Sequence, residues 1–218
     1  MTGEIIWHAE VSAMPPTAGP VVVVRQLPAC DDLNPTQGDL DEAPPRSPRR
    51  ENFLARRALT RRVVATRLGI DARDVRIGHS PSGAPLISAP LCGMKLSISG
   101  RENFCAVATG FASIGVDIEP ISVLADPPWN MMHPRECAML EALPDAARHE
   151  AFLRLWTAKE AYLKALGLGV TREVSRIAID GDFAIHDDEQ EAPPLAARGW
   201  RRLTLDGAGF IAACVMLR

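Results

Sequence analysis

The feature that most constrains the fold is a long stretch of helical periodicity in the C-terminal half, FLRLWTAKEAYLKALGLG at 152–169. Its apolar residues recur at the spacing of one helix face, which predicts a helix packed against a core. These residues are Phe152, Leu155, Trp156, Leu163 and Leu166. Pro144 and Asp145 predict where the helix starts, and Gly167 and Gly169 predict where it stops.

Three charged residues of this helix have unusual positions. At about 100° per residue, Lys159 falls within the apolar stripe, Glu160 at its edge, and Lys164 one turn beyond on the same side. A buried lysine is unfavourable unless it is paired. The helix alone leaves two interpretations open: a lysine that extends to solvent beside an exposed Glu–Lys pair, or a polar site.

A second stretch, ASIGVDIEP at 112–120, has the alternation of a strand. Asp117 and Glu119 project from one face, about 7 Å apart along the strand, and the opposite face is apolar. Gly115 leaves room beside them for a ligand or another backbone. A half-buried strand with an acidic solvent face would explain the pattern, but adjacent like charges repel unless a cation lies between them.

Together, IGVDIEP and LWTAKEAYLKALG resemble the two signature blocks of 4′-phosphopantetheinyl transferases of the single-chain, surfactin-synthetase-associated type. The first block resembles G-(V/I)-D-(I/V)-E and the second W-x-x-K-E-(A/S)-x-x-K, in the family's order and separation. Weaker similarity lies upstream, at Arg49 to Arg62, at SGAPLI (82–87) and at KLSISGREN (95–103).

The resemblance implies an α+β fold of two similar subdomains with pseudo-twofold symmetry and with coenzyme A in the cleft between them. We place the N-terminal subdomain at 1–112 and the C-terminal subdomain, which carries the predicted metal site, at 113–218. Strand-rich blocks with one long helix in each half are themselves typical of α+β.

The resemblance also implies an enzyme that transfers 4′-phosphopantetheine from coenzyme A to a serine of an acyl or peptidyl carrier protein and releases 3′,5′-ADP. Asp117, Glu119 and Glu160 are the predicted metal ligands; a set of carboxylates suits Mg²⁺ or Mn²⁺. Asp117, Glu160 and Lys164 are the predicted catalytic residues, and Glu160 could also accept the serine proton, directly or through water.

Contacts to coenzyme A are expected from two parts of the chain. The resemblance assigns them to Arg49, Arg50, Ser97, Lys159 and Lys164, and Lys95 is a further expected contact. The chain departs from the family pattern at two positions. Ser97-Ile98-Ser99 stands where the family has S-H-S, and Ala84 stands where it has lysine. Isoleucine cannot donate a hydrogen bond, so Lys95, Arg101 and His79 are candidate replacements for the histidine.

These departures keep a second hypothesis open, a divergent relative that binds coenzyme A or a carrier protein with little or no transfer. The region 129–139, with Arg135 and an apolar group of Trp129, Met131 and Met132, is expected either to receive the carrier protein or to belong to the core. The family is associated with secondary metabolite biosynthesis, but the sequence leaves the carrier and its pathway open.

Composition limits the partners. The net charge of −3 favours neither nucleic acid nor an anionic membrane, and no apolar run could span a bilayer. The five cysteines form no C-x-x-C pair, which argues against zinc. With no basic and apolar leader in MTGEIIWHAEV, we expect a cytoplasmic protein with reduced thiols. We expect it to be a monomer.

Among the other segments, 4–11 and 20–27 predict a strand pair and 49–69 a helix with a solvated arginine face. The acidic, proline-rich segment 28–48 has too few apolar residues to pack, so it predicts a long surface loop, as does 181–202.

Overall fold

The computed structural model describes residues 6–8, 11, 19–27, 34–45, 49–121, 128–168, 172–180, 184–188, 201–207 and 209–217. The chain divides into two compact units, Met1–Phe111 and Ala112–Arg218. Each unit combines helices with mostly antiparallel strands, which confirms the predicted α+β class.

The first unit is built on a four-stranded sheet of order β1-β2-β6-β5 and a separate β3–β4 pair. Its elements are β1 (Ile6–His8), β2 (Val21–Gln26), α1 (Gln37–Glu42), α2 (Arg49–Leu68), β3 (Arg76–His79), β4 (Pro85–Ala89), β5 (Lys95–Arg101) and β6 (Phe104–Gly110). The predicted strand pair forms, with β1 parallel to β2. The apolar face of α2, with Leu59 and Val63, forms a core with Val23 and Val107 of the sheet.

The segment 28–48 was predicted to be a loop, and the structure corrects this for its described part. Helix α1 lies within it, and Thr36 and Asp39 form a reciprocal capping box at its start. Buried Asp39 pairs with Arg61 and lies 3.9 Å from Arg57. Polar capping and ion pairs, not apolar packing, therefore hold α1, and these two arginines of α2 are buried instead of solvated.

The second unit has a three-stranded sheet of order β10-β11-β7 and a separate β8–β9 pair. Its elements are β7 (Ser113–Pro120), α3 (Pro134–Glu141), α4 (Asp145–Leu166), β8 (Ile177–Ile179), β9 (Ile185–Asp187), β10 (Arg201–Gly207) and β11 (Phe210–Leu217). The long helix α4 covers β7 and β11, and its apolar side forms a core with Ile211, Ala213 and Val215.

Helix α4 has the boundaries that the sequence predicts. It starts after Pro144 and ends at Gly167, whose φ of 72° closes the last turn. Gly169, the second predicted stop, lies outside the described residues. The predicted loop at 181–202 is wrong where it is described, because β9 and the start of β10 fall within it. No helix in the described ranges combines the length and apolarity that a membrane crossing requires.

Candidate active site

Asp117 on β7 and Lys164 on α4 form the centre of the candidate site. The Lys164 ammonium lies 2.7 Å from Asp117 Oδ1; the Asp117 residue is 4% exposed and the Lys164 side chain 29%. The interpretation of β7 as a strand with an acidic solvent face is wrong for Asp117, which is buried. That face lies under α4, on the same side as Ala213, the partner of Asp117 on β11.

Gly115 sets the distance between the helix and the strand. A Cβ atom at this position would lie 1.9 Å from the carbonyl oxygen of Ala161 and 2.5 Å from the amide nitrogen of Ala165. Both are backbone atoms of α4, so any other residue would force the helix away. The sequence left a ligand or another backbone as the reason for this glycine, and the backbone of α4 is the answer.

The charges of Asp117 and Lys164 both act on Glu160 of α4. It is partly buried, and burial raises the pKa of its carboxyl group above the ordinary value of 4.5. The charge of Asp117 raises this pKa further, and the ammonium of Lys164 opposes the rise. Two carboxyl groups and one ammonium are therefore coupled here, with an excess of negative charge when both carboxyls are ionised.

Two of the three carboxylates named by the metal prediction belong to this coupled group. Asp117 and Glu160 offer oxygen ligands in a region of excess negative charge, and Mg²⁺ is often held by one or two carboxylates together with water and substrate phosphates. Glu119 is partly buried two residues beyond Asp117 on β7. Within the described ranges, no group of three or more His, Cys, Asp or Glu side chains is arranged to hold a metal ion. The predicted trio is therefore not a closed coordination site by itself.

Lys159 has a different partner from the predicted phosphate. Its residue is 0% exposed, and its ammonium lies 2.5 Å from Glu136 Oε2 of α3 and donates to the Val174 carbonyl oxygen at 3.3 Å. Burial lowers the pKa of Lys159, and the charge of Glu136 raises it. Of the two interpretations that the sequence left open, a lysine that extends to solvent is wrong, because Lys159 is buried. Its partner is a carboxylate, and the buried ammonium is not available to a substrate.

Glu136 is a residue that the sequence alone does not single out. Its Oε1 accepts from the Ile179 amide at 2.8 Å, and its Oε2 accepts from the His133 amide at 3.0 Å, which completes a capping box at the start of α3. The H-P-x-E pattern at 133–136 is a recognisable helix-start signal. That signal does not show that the glutamate turns inward and joins α3, β8 and α4.

The predicted coenzyme A contacts of the first unit are more dispersed. Arg49 is exposed at the first residue of α2, and Arg50 donates to the Pro44 carbonyl oxygen at 3.4 Å. Lys95 is exposed at the first residue of β5, while Ser97 is buried within that strand. Of these four, Arg49 and Lys95 are the most accessible to a ligand.

A cavity of about 230 Å³ lies among α2, β3, β4 and β5, and we call it the α2–β5 cavity. Its walls combine three basic side chains with apolar groups. They are Phe53, Arg56, Arg57, His79, Pro85, Ile98 and Gly100. Of the three candidate replacements for a histidine at position 98, His79 lines this cavity with Ile98, whereas Lys95 and Arg101 are outside the lining. Arg56 was not singled out from the sequence.

A wider groove of about 650 Å³ lies in the second unit beside α3. Trp129, which is 36% exposed, lines it with His133 and Cys137. Of the apolar group at 129–132, Met132 is buried in the core and Met131 packs against that core. The core interpretation therefore holds for the two methionines, while Trp129 lies at a surface groove. That the groove receives a carrier protein stays a prediction.

Comparison with known proteins finds a family match that lies within the second unit. Residues 113–215 match the model of the 4′-phosphopantetheinyl transferase superfamily. The chain is 32% identical over 129 residues to the 4′-phosphopantetheinyl transferase HetI of Nostoc sp., which is 56% of this chain and 54% of HetI. It is 27% identical over 143 residues to the 4′-phosphopantetheinyl transferase Sfp of Bacillus subtilis, 62% of each chain.

A third relative is the holo-[acyl-carrier-protein] synthase of Geobacillus kaustophilus, 41% identical over 71 residues, 33% of this chain and 52% of the synthase. The chain thus spans 52–62% of the length of these three relatives. The matched region contains β7, α4 and the Asp117–Glu160–Lys164 group between them. Residues 113–215 are therefore a domain of the 4′-phosphopantetheinyl transferase superfamily, as the two sequence blocks predict.

Proposed function

We propose that this protein transfers 4′-phosphopantetheine from coenzyme A to a serine hydroxyl of an acyl or peptidyl carrier protein. The serine oxygen forms a bond to the β-phosphorus, the bond from that phosphorus to the oxygen bridging it to 3′,5′-ADP breaks, and the serine proton passes to a base. The observation that carries the proposal is the coupled group of Asp117, Glu160 and Lys164, which lies inside the superfamily domain.

Glu160 is the base that we propose for the serine proton. Without a bound cation, burial and the charge of Asp117 raise the pKa of Glu160 above that of an ordinary glutamate, and a base is most effective when its pKa approaches the working pH. Lys164, partly exposed beside Asp117, has donors left to orient a phosphate oxygen. Asp117 holds the ammonium in place, so its role includes positioning Lys164.

Asp117 and Glu160 would hold a Mg²⁺ or Mn²⁺ ion, with Glu119 as a further candidate from the same strand. Such an ion supplies positive charge that stabilises the charge building up on the leaving 3′,5′-ADP.

We also propose the carrier protein as partner and the groove beside α3 as the place where it docks. A carrier protein is typically an acidic helical module, so its docking surface should offer basic and apolar groups. Exposed Arg135 and half-exposed Trp129 supply such groups beside α3. The four cysteines of the described residues are all free, which supports the proposal of a reducing, cytoplasmic environment.

The test is incubation with coenzyme A, Mg²⁺ and a panel of apo carrier proteins, followed by intact mass. We expect at least one carrier to gain one phosphopantetheine with wild type and with Glu150→Gln, an exposed change on α4, and none with Glu160→Gln. Calorimetry with coenzyme A is measured in parallel. No mass gain on any carrier together with no coenzyme A binding would refute the proposal.

A further inference from the structure

The α2–β5 cavity has the chemistry of an anion site with apolar walls. Three cationic or titratable basic side chains, Arg56, Arg57 and His79, share it with the ring of Phe53 and with Ile98. At about 230 Å³ it is smaller than a typical pocket for a whole cofactor, so it suits one charged group and its immediate neighbours. A ligand in the cavity would bind to whichever of these three side chains lacks a protein counter-ion.

Arg57 and His79 are already engaged. The Arg57 guanidinium pairs with Glu42, lies 3.9 Å from Asp39 and stacks over the Phe53 ring at 5.1 Å from its centroid. His79 Nδ1 lies 3.9 Å from the same Glu42 carboxylate. The carboxylates that hold α1 against α2 thus compensate the charge on this side of the cavity.

Arg56 differs from both. Within the described residues, its guanidinium makes one hydrogen bond, to the Gly100 carbonyl oxygen at 3.2 Å, and no ion pair. A guanidinium has five N–H donors, so several remain for a ligand. A partly buried cation without a counter-ion, in a cavity with apolar walls, favours a bound anion.

Gly100 creates the position that Arg56 occupies. A Cβ atom at residue 100 would lie 2.5 Å from Arg56 Cδ and 2.6 Å from Arg56 Nη1. The arginine therefore fills the place that a side chain on β5 would take, and its charge reaches the strand from α2. Among the described lining residues, β5 contributes Gly100 and Ile98, and the Ile98 side chain has no hydrogen-bond donor.

We propose that Arg56 binds a phosphate group of coenzyme A, and that in this chain an arginine reaching across from α2 supplies the contact that β5 itself lacks. The inference rests on the proposed function, because it takes coenzyme A as the ligand. The shared chemistry is a phosphate oxygen, which comes from either the 3′-phosphate or the pyrophosphate of the same molecule. A planar guanidinium binds either of them with two parallel hydrogen bonds.

The experiment is calorimetric titration of the full chain with coenzyme A, dephospho-coenzyme A and 3′,5′-ADP. Arg56→Gln removes the charge, and we expect it to weaken coenzyme A binding about 10- to 100-fold, the range for a hydrogen bond to a charged group. Arg62→Gln, an exposed arginine of the same helix outside the cavity, is the matched control and is expected to bind like wild type. Thermal unfolding of each variant checks that it is folded.

A second variant tests the geometry without removing the charge. Gly100→Ala places a methyl group against the flexible Arg56 side chain and should displace it, so coenzyme A binding weakens in an otherwise wild-type chain. In the Arg56→Gln background the same change should add no further loss, because the side chain that it displaces has lost its charge.

The ligands separate the two sources of phosphate. A loss in Arg56→Gln that disappears with dephospho-coenzyme A supports a contact to the 3′-phosphate, and a loss that persists supports the pyrophosphate. Two results would overturn the inference and leave the proposed function standing. One is that Arg56→Gln binds coenzyme A within twofold of wild type. The other is that Gly100→Ala loses the same coenzyme A affinity in the wild-type and the Arg56→Gln backgrounds. A wild-type chain that binds neither coenzyme A nor 3′,5′-ADP and modifies no carrier would refute both.

Discussion

Substitution of Glu136 by glutamine is the sharpest test of how the second unit is held together. The change keeps the size of the side chain but leaves the ammonium of Lys159, at 0% exposure, without its counter-charge. It also places an amide NH₂, a donor, opposite one of the two backbone amides from which Glu136 now accepts hydrogen bonds, those of His133 and Ile179. Removing one partner of a buried pair costs about 3–5 kcal/mol of unfolding free energy, and we expect a loss in that range at pH 7.

The loss should depend on pH. The pKa of Lys159 is lowered by burial and raised by Glu136, so Glu136→Gln lowers it further. Between the folded-state pKa of Lys159 and the ordinary value of 10.5, the unfolded chain binds more protons than the folded chain, so the free energy of unfolding rises with pH. This range starts at a lower pH in the variant than in wild type, so the variant gains more stability as the pH rises. The destabilisation of Glu136→Gln relative to wild type should therefore shrink from pH 7 towards pH 10.

Urea unfolding at several pH values, followed by circular dichroism, measures both quantities. The matched control is Glu150→Gln on α4, whose side chain is 52% exposed and lies 3.8 Å from Arg154. This exposed pair should be worth less than about 1 kcal/mol. A Glu136→Gln loss below about 1 kcal/mol at pH 7, or a loss that does not change with pH, would refute the assignment of Glu136 as the counter-charge that Lys159 requires.

Three further predictions concern the site and its surroundings. Asp117→Asn should abolish carrier modification by intact mass and lower the pKa of Glu160 in the metal-free protein, because the Asp117 charge raises it; an unchanged Glu160 carboxyl titration by NMR would contradict this. Arg135→Glu should raise KM for the carrier protein and leave KM for coenzyme A unchanged; a change confined to coenzyme A would move this residue out of the docking surface. Glu42→Gln removes a carboxylate from the edge of the α2–β5 cavity and should tighten coenzyme A binding by about two- to fivefold, as for an exposed pair; calorimetry showing weaker binding would contradict it.

The long helix and the acidic strand could be predicted because their information is local. The periodicity and end signals of α4 fix its boundaries, and the alternation in β7 shows that Asp117 and Glu119 share a face. Alternation does not show what covers a face, so the burial of Asp117 beneath α4 was not predictable.

Partners distant in sequence account for the other errors. Lys159 needed a counter-charge, but no acidic residue lies three or four positions away on its helix, and Glu136 comes from a helix 23 positions earlier. Helix α1 was missed for a related reason. The sequence around Asp39 has no apolar periodicity that would predict a helix. Helix α1 is held instead by the contacts of Asp39 with the buried arginines of α2, Arg57 and Arg61.

The close approach at Gly115 has a consequence for engineering this protein. The contact is between the strand and backbone atoms of Ala161 and Ala165, so the spacing of Asp117 and Lys164 does not depend on which apolar side chains fill the rest of the core. A library that randomises the apolar positions of α4 in bulk-conserving ways should keep the reactive groups in register, provided that residue 115 stays glycine. At this one position even a single methyl group would separate the two halves of the site.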